Sequence, residues 1–365
     1  MQSLYAANLF TGEEWLKDVT LVIEDGKIHS IEEGTNKYSK QDHSYGEHVF
    51  LAPAFIDLQI YGAANKLLAV YSTTEALDLL RQYCFEGGAT LFQPTMATNT
   101  KEVFYKAIDA VRAYWEQEGK GVHGLHLEGP WINKEKKGAH VEEEIHSPTL
   151  EEVKELLDYG NGVITMITLA PEVCAQQVID YITSKGIVIS AGHSNANFEE
   201  AVHSFNNGIT TITHLFNAMS PLQHRAPGLV GASFLHSKVK ASCIPDGYHT
   251  DFAAITIAKQ IMKERLFVIT DAVTETNEGY YQHHLVGDKY ECNGTLSGSA
   301  LTMHSAFLNL VERAGIEKEE ALRMCSLYPA QVIQMDHLYG KIAPGYQAQF
   351  VVLNKQLRLV DTIVL

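Results

Sequence analysis

Positive charge is scarce in this chain: 28 Lys and Arg face 44 Asp and Glu, a formal charge of −16 over 365 residues. That balance excludes the broad basic patch that nucleic acid or an anionic membrane requires, while leaving room for one or two cations around a small anionic substrate. Cysteine is scarce too. The five thiols (Cys84, Cys174, Cys243, Cys292 and Cys325) are odd in number, widely spaced and form no C-x-x-C pair. They read as reduced, mostly buried thiols. No apolar run is long enough to span a bilayer, and the first residues lack the basic-then-apolar pattern of a secretory signal. The expectation is a soluble cytoplasmic protein with neither membrane nor nucleic-acid partners. Low-complexity segments are absent as well, and no G-x-G-x-x-G turn follows a first strand.

What the chain does have is a central alternation of apolar runs and amphipathic stretches. Strand-like runs cover 54–58, 89–93, 122–127, 163–169, 188–192, 209–213, 239–244 and 266–270. Between most of them, apolar residues recur at helical spacing, over 75–85, 103–115, 150–157, 175–182, 198–205 and 252–261. Eight runs with helical crossovers predict an α/β fold of the (β/α)8 TIM-barrel type, whose chemistry sits at the C-terminal strand ends. A doubly wound open sheet is the alternative, disfavoured by the missing glycine-rich turn. Both chain ends differ from the middle. Short β-branched runs lie near Leu4, Val19 and Ile28, with a turn at Asp25-Gly26, and again near Val351 and Leu359. Neither end can close a core alone. The reading is a small β-sandwich domain built from 1–51 and 338–365, flanking a barrel domain over 52–337. The polar stretch 38–48 reads as a loop.

Four of the barrel runs end on a residue with chemistry. The run at 122–127 delivers Glu128, and Gly129-Pro130 stops it from continuing. Others end at His193, His214 and Asp271. Each taken alone is an ordinary histidine or loop carboxylate; together, on one barrel rim, they form a metal site with a catalytic carboxylate. Two imidazoles and a carboxylate suit zinc with an open position for water, and the same set serves iron, manganese or cobalt. Asp271 is the natural general base, with a fourth ligand or a helix cap as its other readings. His126 shares strand parity with Glu128 and lines the barrel below the site or packs as a core histidine. His29, His43, His48, His146 and His337 read as solvated. The lysines at 134, 136 and 137 read as a solvated loop.

Several stretches resemble one family, in order along nearly the whole chain. They are His126-Leu127-Glu128-Gly129-Pro130, Ala191-Gly192-His193-Ser194, Thr213-His214-Leu215-Phe216-Asn217-Ala218-Met219, Arg225-Ala226-Pro227-Gly228, Asp246-Gly247-Tyr248-His249, Thr270-Asp271-Ala272 and Leu296-Ser297-Gly298-Ser299. The family is the N-acetylglucosamine-6-phosphate deacetylases, within the amidohydrolase superfamily. The resemblance implies a metal-dependent barrel acting on the acetamide of a phosphosugar. It places the metal on Glu128, His193 and His214, and the acid/base on Asp271. His140 would polarise the carbonyl. Ala139, His140, Asn217, Ala218 and the loop of Leu296, Ser297 and Gly298 would contact substrate, with Arg225 and His249 holding the phosphate across a homodimer interface.

One stretch departs from the wider superfamily. Where many members place His-x-His after the first strand, this chain has Gln59-Ile60-Tyr61, and strand four ends Leu169-Ala170-Pro171 without a bridging lysine. Gln59 matches the Gln-x-Asn form of these deacetylases; Tyr61 does not. Both features imply one divalent metal per subunit. The readings to separate are deacetylation of N-acetylglucosamine 6-phosphate, action on another N-acetylhexosamine phosphate or related amide, and a non-catalytic scaffold.

Overall fold

The computed structural model describes residues 2–34 and 43–365. The chain forms two compact units. One comprises Met1–Asp57, Cys84–Leu91 and Thr302–Leu365, the other Leu58–Tyr83 and Phe92–Leu301.

The barrel sheet has eight strands, each beside its sequence neighbour: Phe55–Ile60, Ala89–Ala97, Leu125–Glu128, Ile164–Leu169, Val188–Ala191, Thr211–Ile212, Lys240–Cys243 and Leu266–Val268. From the second strand to the eighth the pairings are parallel. The ring closes just beyond the last strand, where Asp271 N donates to the Gln59 carbonyl and Tyr61 N to the Ala272 carbonyl, both at 2.9 Å. This is the barrel that the apolar runs predict. Its strands are buried on both faces, which is why they read as continuous apolar runs rather than as an alternation.

The crossover helices follow from periodicity and caps. Lys101–Glu116 buries Phe104, Ala107, Ile108, Val111 and Tyr114, one stripe at helical spacing. Thr149 with Glu152, and Asn197 with Glu200, form reciprocal capping boxes that fix where the helices Leu150–Tyr159 and Phe198–Asn206 begin. Two elements differ from expectation. Gly228–Leu235, where the periodicity marks no helix, is a helix whose residues are nearly all buried. A segment apolar on every side carries no amphipathic period to detect. After strand eight, His283–Val286, Lys289–Cys292 and Thr295–Ser299 form a three-stranded antiparallel sheet. Its second turn is Asn293-Gly294, with φ of 52° and 75°, the two-residue hairpin turn that this dipeptide favours.

In the other unit, both chain ends build one seven-stranded sheet. Its order runs Leu359–Val364, Gln349–Asn354, Val49–Pro53, Gln2–Phe10, Trp15–Glu24, Lys27–Glu33, with His43–Tyr45 paired in parallel beside Leu4, Tyr5 and Ala6. The last of these strands corrects part of the loop expected over 38–48; residues 38–42 lie outside the described residues. The sheet folds back on itself, since Ile28 N donates to the Tyr346 carbonyl and Ala348 N to that of Gly26, both at 2.9 Å. Leu4, Leu9, Leu21, Ile23, Phe350 and Val352 fill the space between, as a sandwich from both ends requires. The turn at Asp25-Gly26 is as expected, with φ of 50° and 75°. All five cysteines are free thiols, and four of them are buried.

Candidate active site

The ends of strands three, five, six and eight deliver Glu128, His193, His214 and Asp271 to one cavity of about 250 Å³. Getting them there strains the backbone. His193, His214 and Asp271 have φ of 47°, 35° and 54°, a left-handed conformation that non-glycine residues seldom adopt. Glycine is required where chains approach most closely. A Cβ on Gly129 would sit 2.2 Å from Thr98 Oγ1, and one on Gly298 would sit 2.3 Å from Val273 and 2.6 Å from the Asp271 carbonyl.

The loops are tied together by Glu172, after strand four. Its carboxylate accepts from Asn133 Nδ2 (2.9 Å), Ser194 Oγ (2.7 Å) and the Asn195 amide (2.5 Å), linking the loops that follow strands three and five. The lysine loop contributes through its backbone. His193 Nδ1 donates to the Lys136 carbonyl at 2.8 Å, while Lys137 pairs with Glu142 at 2.5 Å in a solvent-facing bridge.

That first contact decides the chemistry of His193. With Nδ1–H committed to a carbonyl, the neutral ring presents Nε2 as a bare lone pair. It faces Glu128 Oε1 at 3.4 Å and His214 Nε2 at 3.2 Å, and His214 Nε2 lies 3.0 Å from the same oxygen. His214 Nδ1 is buried without a hydrogen-bond partner. One proton at most can serve three mutually facing acceptors. Such a convergence of a carboxylate and two imidazoles, all buried, fits a divalent cation. A ligand atom of His140 also lies within 4.8 Å of those of Glu128 and His193. Its surroundings differ, however. The Thr98 amide points at His140 Nδ1 (3.4 Å) and the Thr98 hydroxyl is 2.7 Å away, so Nδ1 accepts and Nε2–H donates to Glu128 Oε2 at 3.2 Å. A nitrogen that carries hydrogen is a donor, not a ligand.

Burial opposes ionisation of Glu128, yet the hydrogen bonds of His140, His193 and His214 outweigh it and hold the carboxyl well below its ordinary range. Burial pushes His140 and, beneath the site, His126 down to about 4, so both rings are neutral at pH 7. His126 spans the barrel interior, from the Leu58 carbonyl (3.1 Å) to Thr168 Oγ1 (2.8 Å).

Asp271 is joined to this group through Gln59, whose Nε2 is 2.7 Å from Asp271 Oδ1, 3.1 Å from Glu128 Oε1 and 2.7 Å from the Tyr61 hydroxyl. Tyr61, the residue that departs from the resembled pattern, donates to Glu128 Oε2. Burial first, then the Glu128 and Asp271 charges, raise its phenol well above 10, so it remains a donor.

Ala139, His140, Asn217, Ala218, His249, Leu296, Ser297 and Gly298 all line the cavity. His249 is set by Asp246, with Nδ1 at 2.6 Å from Oδ2 and Nε2 at 2.5 Å from the Ser297 carbonyl, so both ring nitrogens face acceptors. Arg225 is not brought to the cavity of its own chain; it is exposed in the loop before Gly228–Leu235. Sequence reasoning missed Thr95, Tyr281 and His283, which also line the space. Tyr281 donates to the Thr98 carbonyl at 2.6 Å, and His283 meets Ser297 Oγ at 3.0 Å. Nothing in Tyr281-Gln282-His283 marks it as a wall of the site; the Asn293-Gly294 turn signals only the neighbouring hairpin of Lys289–Cys292 and Thr295–Ser299.

A closed parallel barrel with a buried carboxylate–imidazole cluster at its C-terminal rim defines a class of metal-dependent hydrolases. The amidohydrolase family model matches residues 50–364, and the chain belongs to that family. Among its relatives, the N-acetylglucosamine-6-phosphate deacetylase of Haemophilus influenzae is 32% identical, over 98% of this chain and 96% of its own length. The N-acetylgalactosamine-6-phosphate deacetylase of Escherichia coli O157:H7 is 30% identical, again over 98% and 96%. The crystal structure of N-acetylglucosamine-6-phosphate deacetylase from Pasteurella multocida superposes with a TM-score of 0.93 at 31% identity, covering 100% of this chain and 98% of that one.

Proposed function

We propose that the chain hydrolyses the acetamide of N-acetyl-D-glucosamine 6-phosphate, giving D-glucosamine 6-phosphate and acetate. The observation that carries the reading is the pairing of a buried Glu128/His193/His214 convergence with a separate carboxylate, Asp271, in one small cavity. Full-length similarity to deacetylases of phosphorylated N-acetylhexosamines supports the substrate class.

Glu128, His193 and His214 would hold one divalent ion, zinc being the first choice for such a set. When bound, such an ion acidifies a water and polarises a carbonyl. A second ion lacks ligands: Gln59 offers a neutral amide, Tyr61 a phenol kept protonated, and Leu169 and Ala170 stand where a bridging lysine would. Asp271 takes a proton from the attacking water as oxygen adds to the acetamide carbon. Nε2–H of His140, 3.2 Å from Glu128 Oε2, would be shared with the carbonyl oxygen in a three-centre hydrogen bond and so stabilise the negative charge that develops there. Asp271 then gives its proton to the nitrogen as the C–N bond breaks, because an amide anion is too poor a leaving group to depart unprotonated. Ala139, Asn217, Ala218 and the 296–298 loop orient the sugar. His249, held by Asp246 through Nδ1, would read the phosphate by exchanging the Ser297 carbonyl on Nε2 for a phosphate oxygen, together with Arg225, which would reach the site of a second subunit in a cytoplasmic homodimer. A planar guanidinium and an imidazole suit a phosphate dianion.

The test is acetate release from a substrate panel. N-acetylglucosamine 6-phosphate should show the highest kcat/KM, ahead of its galacto epimer and far ahead of unphosphorylated N-acetylglucosamine. A preference for the galacto epimer would move the assignment to the other deacetylase, and no acetate from any phosphosugar by the metal-loaded protein would sink the catalytic reading.

A further inference from the structure

We propose that the Tyr61 hydroxyl is a positioning group that sorts the two oxygens of Glu128, holding Oε2 so that Oε1 alone is presented to the imidazoles. The inference rests on the metal-site reading above and extends it to a residue that the resemblance does not explain.

The proton directions around Tyr61 leave one arrangement. Gln59 Nε2, 2.7 Å from the phenolic oxygen, can only donate. The hydroxyl therefore accepts from Gln59 and spends its own hydrogen on Glu128 Oε2. His140 Nε2 reaches the same oxygen at 3.2 Å. The opposite oxygen, Oε1, faces His214 at 3.0 Å and His193 at 3.4 Å. The carboxylate is thus divided, with Tyr61 and His140 donating to one oxygen, and the two imidazoles facing the other, which Gln59 Nε2 approaches at a longer 3.1 Å. A glutamate side chain turns freely about its last bond unless something holds it. Unclamped, it can offer both oxygens to one cation or swing out of reach. Tyr61 is itself fixed, since its ring packs in an apolar cluster with Leu67, Ala97, Val273 and Tyr281 and is 8% exposed. A rigid ring carrying one hydroxyl converts core packing into carboxylate orientation, as outer-shell partners of metal ligands do.

Tyr61→Phe removes the hydroxyl and keeps the ring, so packing and positioning separate. Wild type and variant are loaded with Zn2+, and affinity is read by competition with a chromophoric chelator, alongside the melting temperature of each metal-free protein. The expected result is a metal-free melting temperature close to wild type and a Zn2+ Kd weakened by roughly 10–100-fold, with kcat falling and KM for the phosphosugar little changed. A variant that binds Zn2+ within twofold of wild type would overturn the inference while leaving the metal site intact. A wild type that binds no Zn2+ would overturn both readings. A crystal structure of the Zn2+-loaded wild type decides the matter without the variant. Glu128 bound through one oxygen, with Tyr61 on the other, supports the proposal; both oxygens on the metal, or Tyr61 turned away, contradicts it.

Discussion

The terminal sheet and the barrel rim are made by the same chain under opposite rules. In the terminal unit, positive φ at non-glycine residues falls outside the buried core, as at the exposed turns of Asp25 and Gln334. Its core is Leu, Ile, Val, Phe and Ala. At the rim the left-handed residues are His193, His214 and Asp271, between 5% and 7% exposed, each turning a polar side chain inward. Strain and buried polarity that a stability-driven fold avoids are concentrated where lone pairs converge. The difference teaches that the rim is built for something that joins it, and the terminal sheet only for itself.

Substitutions break that comparison from the rim side with the largest effects. Glu128→Gln should abolish both metal retention and acetate release, read by elemental analysis and assay; a variant that keeps its metal would remove Glu128 from the ligand set. Asp271→Asn should keep the metal and lose activity by ~10²–10⁴-fold, because only proton transfer is lost. Metal-free Asp271→Asn would instead make Asp271 a ligand. Arg225→Ala should raise KM for the phosphosugar by roughly 10–150-fold, the worth of a charge-assisted contact, while scarcely affecting unphosphorylated N-acetylglucosamine. Equal effects on both would take Arg225 out of the phosphate site.

From the other side, Leu21→Ala in the terminal core should cost about 2–5 kcal/mol of stability without altering metal affinity of the folded protein. Denaturant unfolding and chelator competition measured together test the split. A further test is in pH. Burial holds His123, His126, His140 and His283, all in the barrel unit, at about 4, below the ordinary value of 6.5. Between those values the unfolded chain binds protons that the folded chain does not, so stability falls as pH drops from 6.5 toward 4 and is fully present above it. The urea midpoint of metal-free protein should decline across that window; a flat midpoint would mean these rings are not held neutral.

The contrast also marks what could be read in advance. The eight strands were legible because each is a bounded apolar run, and Glu128, His193, His214 and Asp271 because each sits where such a run stops. The left-handed backbone at three of them was not, since no residue type signals it when function rather than glycine imposes it. The helix Gly228–Leu235 was hidden by being apolar on all sides, and Tyr281 and His283 by lying just before and at the start of a small sheet that follows the eighth strand. Tyr61 was visible as a departure, but its meaning required the Gln59 and Glu128 atoms beside it.

The claim at the centre is that one buried divalent ion, held by Glu128, His193 and His214, makes the rim a deacetylase. Metal-stripped protein titrated with Zn2+ while acetate release from N-acetylglucosamine 6-phosphate is followed tests it most directly. No turnover is expected in chelator, followed by activity rising to a plateau at one equivalent per chain. Full turnover in metal-free protein, or a plateau reached only at two tightly held equivalents, would contradict it.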